Sequence, residues 1–204
     1  MKIKHLLAFT FLIGMTLVSC SETKTESKFA NWKERNEAFI DSIASVYQAE
    51  QKLDESARTL FRYEDQRNMG NYIYYKVRES GDQESDQPYI TSEVSVFYRG
   101  MLIDEARIAT LKEPYWITTL YKNLIIFDRN FTEADPRPNI DKPATFGVSG
   151  LISGWIEILQ HMHKGDRWEV YIPHQSAYGS SPSGVIRPYS TLIFDLTLED
   201  IVKQ

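Results

Sequence analysis

The chain has 204 residues but only one cysteine, Cys20. An internal disulfide is therefore excluded, and so is a thiolate-rich zinc site, because both need at least two thiols. Positive charge is also scarce. Lys and Arg number 23 against 28 Asp and Glu, for a formal net charge of −5. Nucleic acid is thus not an expected partner, since phosphate binding needs a basic face. The longest apolar run, Leu6 to Val18, covers 13 residues, too few to span a bilayer that needs about 20. No internal repeat or low-complexity tract is present. Ser149 lies in "GVSG", which is not the G-x-S-x-G elbow of hydrolases. His161 and His163 are two apart and would not share a helix face, and His174 follows only after a strand. Neither a metal site nor a cofactor is expected.

What is present is an ordinary globular composition, 42% hydrophobic and 13% aromatic, enough for one core. The first 19 residues carry Lys2 and Lys4, then the apolar run, then small residues, the pattern of a secretory signal peptide. The end of this segment, Leu17-Val18-Ser19-Cys20, resembles a bacterial lipobox. That resemblance implies cleavage before Cys20 and a lipid anchor on it, which would place the protein in the cell envelope. The expected site is a bacterial membrane, the outer one by preference, with the domain in the periplasm or at the cell surface. Residues 20–28 continue as a polar tether, "SETKTESK".

Helical signals follow over residues 29–66. Asn31 stands where an N-cap belongs, with Glu34 three residues on. Phe39, Ile43 and Val46 repeat at helical spacing. Leu53, Ala57, Leu60 and Phe61 suggest more helix, as a continuation or a hairpin. After Gly70 the period changes to two. "YIYYKV", "EVSVFYRG", "DRWEVYIP" and "TLIFDLTL" read as half-buried antiparallel strands with one wet side. One short helix fits among them, "SGWIEILQHMHKG", with Trp155, Leu159 and Met162 on one face and Gly165 as its stop. The fold class is therefore α+β, an antiparallel sheet with one short helix on its dry face.

The order "VFYRG", "FD", "FGVSGLISGWIEILQHMHKGDRWEVYIP", "AYGSSPSGVIRPYSTLIFDLTL" resembles the FKBP-type peptidyl-prolyl cis/trans isomerases from about Glu93 to Leu198. The helical start "NWKERNEAF" is more loosely similar to lipoprotein isomerases of the Bacteroidetes type. The resemblance implies an FKBP-like sheet wrapped around the short helix over residues 68–204. It also implies a pocket for a prolyl ring with Trp155 as floor and Tyr98, Phe127 and Phe194 as walls. Asp128 would sit beside Tyr98 at the edge. The backbone N–H of Ile152 and the hydroxyl of Tyr178 would anchor the substrate. Leu151, Val185 and Ile186 would contact it, with Ile186 at the rim. The implied partners are proline-containing polypeptides and, by the same family likeness, macrolide inhibitors.

The sequence departs from the family pattern in several places. Ala144 stands where a further aromatic usually lines the pocket. Pro182 and Ser183 replace a His–Pro pair, the loop after "AYG" is one residue shorter, and Ser149-Gly150 replaces polar and acidic residues. These changes imply a more open mouth and weaker macrolide binding. An insertion at about 104–126, with Tyr115, Trp116 and Tyr121, packs on its own domain or serves as a platform for partners. Two functions are expected from these features: an active isomerase for exported proteins, or a lipid-anchored binding module or chaperone that uses the same pocket without catalysis. Asn130-Phe131-Thr132 is a glycosylation sequon without expected use in a bacterial lipoprotein.

Overall fold

A computed structural model describes residues 29–103, 124–137 and 139–204. Cys20, the signal peptide, the tether and most of the expected insertion lie outside the described residues. The compact unit is Asn31–Gln204.

It begins with helix α1, Trp32–Glu50. Its buried stripe is Trp32, Asn36, Phe39 and Ile43, spaced i, i+4, i+7, i+11, while Val46 is only half-buried. The stripe thus begins earlier than the Phe39–Val46 spacing predicts. Asn31 precedes the helix but takes a left-handed conformation (φ 50°), and its side chain makes no capping bond.

The helical reading of Leu53–Phe61 does not hold. The chain makes one short turn at Glu55–Ala57 and then enters strand β1, Phe61–Glu64. The Glu50 carboxylate explains the change of direction. It accepts the N–H groups of Thr59 (2.7 Å) and Leu60 (2.9 Å), which folds the chain back over the end of α1. Phe61 and Tyr63 then pair opposite Tyr75 and Ile73 on the next strand, Tyr72–Glu79, where aromatic side chains fit a pleated surface.

The remaining elements are strands β2 (Tyr72–Glu79), β3 (Glu93–Leu102), β4 (Ile125–Arg129) and β5 (Ala144–Gly147), helix α2 (Ser153–Leu159), and strands β6 (Arg167–Ile172) and β7 (Leu192–Lys203). The strands form one antiparallel sheet in the order β1-β2-β6-β7-β3-β4, with β5 alongside the first half of β3. The α+β architecture is therefore as the sequence implies. α2 is shorter than its predicted span and ends at Leu159. Met162 is nevertheless fully buried in the following turn, and Gly165 takes φ +87° as the chain turns into β6.

The expectation of one wet face fails. All six residues of β6 are buried, and β3 is buried on both sides. Register assigns the faces. Tyr98, Gly100, Phe194, Leu196, Trp168 and Val170 share the face that carries α2. Arg99, Asp195, Arg167 and Tyr171 point the other way. That second face is covered too. Phe39 of α1 meets Tyr171 at 6.2 Å and Tyr47 meets Tyr74 at 5.9 Å between ring centres. The Phe131 ring lies 4.4 Å from the Arg99 guanidinium.

Candidate active site

β3 is flanked on one edge by β5 along its first half and by β4 along its second. Asn130 bridges the break between them. Its Oδ1 accepts the N–H of Tyr98 (2.8 Å), its Nδ2 donates to the carbonyl of Val96 (2.9 Å), and its own N–H donates to the carbonyl of Tyr98 (3.1 Å). The amide of the sequon is therefore occupied in holding the backbone that presents Tyr98. Read only as a sequon, Asn130 gives no sign of this role.

On the α2 side of that break lies an open cleft of about 340 Å³, within the usual range for small-ligand sites. Trp155 on α2 forms its floor and is buried. Three rings stand edge-on to it: Phe194 at 5.0 Å, Tyr98 at 5.5 Å and Phe146 at 6.0 Å, all within 10° of perpendicular. Phe127 stands edge-on to Phe194 at 5.7 Å. Such edge-to-face contacts are the favoured geometry for aromatic side chains and fix the walls. α2 lies close to the sheet because Gly154 has no side chain. A Cβ there would come within 2.5 Å of Ile172.

The rest of the lining is polar or backbone. Asp128 accepts the phenol proton of Tyr98 at 2.8 Å and the N–H of Arg129 at 2.8 Å. Burial, reinforced by this bond to Asp128, pushes the Tyr98 phenol well above its ordinary pKa, so it stays protonated at neutral pH. Gly150, Leu151 and Ile152 form one lip. Ile152 directly precedes α2, and its carbonyl caps the first turn by accepting Trp155 and Ile156 N–H groups. Among the described residues its own N–H has no acceptor. Tyr178 forms the opposite lip, 41% exposed, and its hydroxyl has no partner among the described residues.

The structure thus gathers Tyr98, Phe127, Asp128, Leu151, Ile152, Trp155, Tyr178 and Phe194 around one cleft. Val185 and Ile186 do not line it. A tight turn closes Ser183 onto Ile186 through two backbone bonds, with Gly184 at φ +55°. It turns Val185 out to solvent (72% exposed) and buries Ile186.

Sequence reasoning missed two residues here besides Asn130. Phe146 lines the cleft two residues beyond Ala144, on the same side of β5, so an aromatic wall stands close to the place where one looked missing. The period-two spacing of "ATF" was the available signal. Gly100 faces the cleft walls, and a Cβ on it would lie 2.4 Å from Phe127 and 2.8 Å from Phe194.

The described histidines do not line the cleft. His161 stacks on Tyr63 (3.7 Å) and pairs with Glu157, while His163 Nδ1 lies 2.7 Å from the carbonyl of Ser85. Among the described residues no group of three His, Cys, Asp or Glu side chains is placed to hold a metal ion.

Residues 84–199 match the model of the FKBP-type peptidyl-prolyl cis-trans isomerases, more than half of the chain. The chain belongs to that family. It is 32% identical over 139 residues to the peptidyl-prolyl cis-trans isomerase Mip of Coxiella burnetii, covering 68% of this chain and 48% of that protein. It is 47% identical over 132 residues to the outer membrane protein MIP of Legionella longbeachae, covering 64% and 45%. The chain therefore spans just under half the length of these curated relatives. The fold is shared with the crystal structure of a peptidyl-prolyl cis-trans isomerase from Pseudomonas syringae pv. tomato. That match has a TM-score of 0.54 and 22% identity, over 88% of this chain and 99% of that one.

Proposed function

We propose that the protein is a peptidyl-prolyl cis/trans isomerase that assists the folding of proline-containing polypeptides in the cell envelope. The observation that carries this reading is the cleft itself: an aromatic floor and walls, with two hydrogen-bond donors at its lips, the Ile152 N–H and the Tyr178 hydroxyl, that have no partner among the described residues.

Rotation about an X-Pro bond breaks no covalent bond, so neither nucleophile nor metal is called for. The barrier, about 18–20 kcal/mol, is the loss of amide resonance. The planar amide is more dipolar than the twisted one, and water therefore favours the ground state. A prolyl ring seated on Trp155 between Tyr98, Phe127 and Phe194 leaves that water behind. The donors at Ile152 and Tyr178 hold the flanking carbonyls, and Asp128 keeps the Tyr98 ring in place. Interactions that are stronger with the twisted amide than with the planar one then lower the barrier. With Ala144 leaving part of the rim open, macrolides should bind weakly.

Exchange spectroscopy of an X-Pro tetrapeptide tests the reading. Catalysis should be nearly flat between about pH 6 and 8, because no proton is transferred and the Tyr98 phenol titrates far above that window. A bell-shaped profile, or full activity in both Asp128→Ala and Tyr178→Phe, would overturn the site assignment. An inactive wild type that still binds proline peptides would favour a non-catalytic binding module.

The envelope location is supported by the Legionella longbeachae relative, named as an outer membrane protein, and by the lipobox-like sequence ending at Cys20. Lipid on Cys20 would anchor the chain, since acyl chains contribute about 0.8 kcal/mol per buried CH₂. Cys20→Ala should release the protein from membranes; retention through high-salt washing would place the anchor elsewhere.

A further inference from the structure

The loop that carries Tyr178 joins β6 to β7, and both its stems are held by α1. At the second stem, the Asn36 Oδ1 accepts the N–H of Thr191 at 2.8 Å, and the Thr191 hydroxyl donates to the Asn36 carbonyl at 3.3 Å. The Asn36 amide also donates to the carbonyl of Trp32 at 2.7 Å. Trp32 in turn donates from Nε1 to the Ser190 hydroxyl at 2.9 Å, and that hydroxyl donates to the Arg187 carbonyl at 2.8 Å. Asn36, Ser190 and Thr191 are all buried, so these bonds are shielded from competing water.

At the first stem, Glu37 of α1 lies 3.6 Å from His174, whose ring stands edge-on to Tyr189 at 5.2 Å. Lys33 lies 4.9 Å from the centre of the same Tyr189 ring. Tyr189 has φ +63°, a conformation that a bulky residue adopts only when its surroundings impose it. Its N–H donates to the carbonyl of Gly179 (2.7 Å), and the Gly179 N–H donates to the carbonyl of His174 (2.8 Å). Tyr178 therefore sits between two stems that are bonded to each other and clasped from outside by one helix. An asparagine on the buried stripe of α1 has no value as a hydrophobic contact. Its side chain is spent on the loop.

We propose that α1 is a working part of the isomerase site: Asn36 and Trp32 are positioning residues that fix the Tyr178 loop, and through it the Tyr178 hydroxyl, for the bound X-Pro segment. This inference rests on the isomerase reading above. The sheet behind the cleft does not need α1 for that placement, because Trp155, Phe194 and Tyr98 are set by α2, β7 and β3. The helix thus bears on one lip of the cleft and leaves its floor alone.

A double-mutant cycle on the full chain tests it, read by exchange of an X-Pro tetrapeptide and by the backbone amide signals of Tyr178 and Gly179. Asn36→Ala should lower kcat/KM about three- to tenfold, the loss of one or two hydrogen bonds' worth of positioning. In a Tyr178→Phe background the same change should cost less than about twofold, because the hydroxyl it positions is already gone. The Tyr178 and Gly179 signals should shift in Asn36→Ala. Equal losses in both backgrounds, or unmoved signals, overturn the proposal. If Asn36→Ala does not fold, Trp32→Phe retains an aromatic ring, removes the N–H that bonds Ser190, and decides the matter through the same cycle and the same signals. If the wild type is inactive, the isomerase reading fails, and the amide signals alone then decide whether α1 holds the loop.

Discussion

The two faces of the sheet are both buried, but they are buried differently. On the α2 face the contacts are ring against ring, and the cover is a helix of 7 residues that leaves a cleft at its edge. On the opposite face, beside the ring contacts that α1 makes with Tyr171 and Tyr74, the interior is ionic. Arg167 makes a two-pronged contact with Asp195 (2.8 Å on each oxygen), reaches Asp135 at 2.6 Å and donates to the carbonyl of Ala134 at 2.8 Å. Arg99 lies 4.0 Å from the same Asp195 and donates to the carbonyl of Glu133. The carboxylate of Asp195 holds the Arg167 guanidinium firmly protonated. Among the described residues, one face therefore has donors without partners beside open apolar space, whereas the other has buried charges that already have partners. A ligand site belongs to the first and structural cohesion to the second.

The largest effect should come from breaking the ionic face. Asp195→Ala leaves two buried guanidinium groups short of their shared carboxylate, and removing one partner of a buried ion pair typically costs about 3–5 kcal/mol. Urea unfolding should show a loss of that size; a loss below about 1 kcal/mol would mean that the network is dispensable. On the aromatic face the sharpest change is Gly100→Ala. The added methyl must displace Phe127 and Phe194, and overpacking of this kind costs about 1–3 kcal/mol. It should also close the cleft, so tetrapeptide isomerisation should fall further than stability does. A variant that is fully active with unchanged stability would show that the walls yield freely.

How far each face could be read from the sequence follows from its chemistry. The aromatic face was legible because period-two strands place Phe194, Leu196 and Leu198 together, and because Trp155 falls in a short helical pattern. The ionic face was not legible. Arg99, Arg167 and Asp195 alternate with apolar residues just as solvent-facing charges do, and only the three-dimensional cover supplied by Phe131 and residues 133–135 makes them interior. β1 was misread for a related reason. Leu60 and Phe61 continue a helical spacing, and the turn that ends it depends on Glu50 reaching the N–H groups of residues 59 and 60. Asn130 and Asn36 act through hydrogen bonds to backbone distant in sequence, which no local pattern records.

A smaller effect separates the cleft's packing from its anchoring. The Tyr178 hydroxyl contributes nothing to the described fold, so Tyr178→Phe should leave the melting temperature unchanged. One neutral hydrogen bond to the substrate is worth about 0.5–1.5 kcal/mol, which corresponds to a loss of roughly two- to tenfold in kcat/KM. Unchanged kinetics would remove Tyr178 from the anchors and leave the Ile152 N–H alone in that role.

The smallest effect concerns His174, which lies where α1 meets the loop on the rim of the aromatic face. The residue is 9% exposed. Burial lowers its pKa below the ordinary 6.5, and Lys33 adds to this, while Glu37 opposes them. At 3.6 Å the Glu37 contact is long for a hydrogen bond, so burial prevails. The sign follows directly. Below about pH 6.5 the unfolded chain takes up a proton at this position more readily than the folded one does, so stability falls as pH falls through that value and is undiminished above it. Thermal melts at pH 7.5 and 5.5 should show a drop for the wild type and a smaller drop for His174→Gln, whose side chain carries no titrating group. Equal drops would mean that His174 is free to protonate in the folded protein and that α1 does not seal it against the loop.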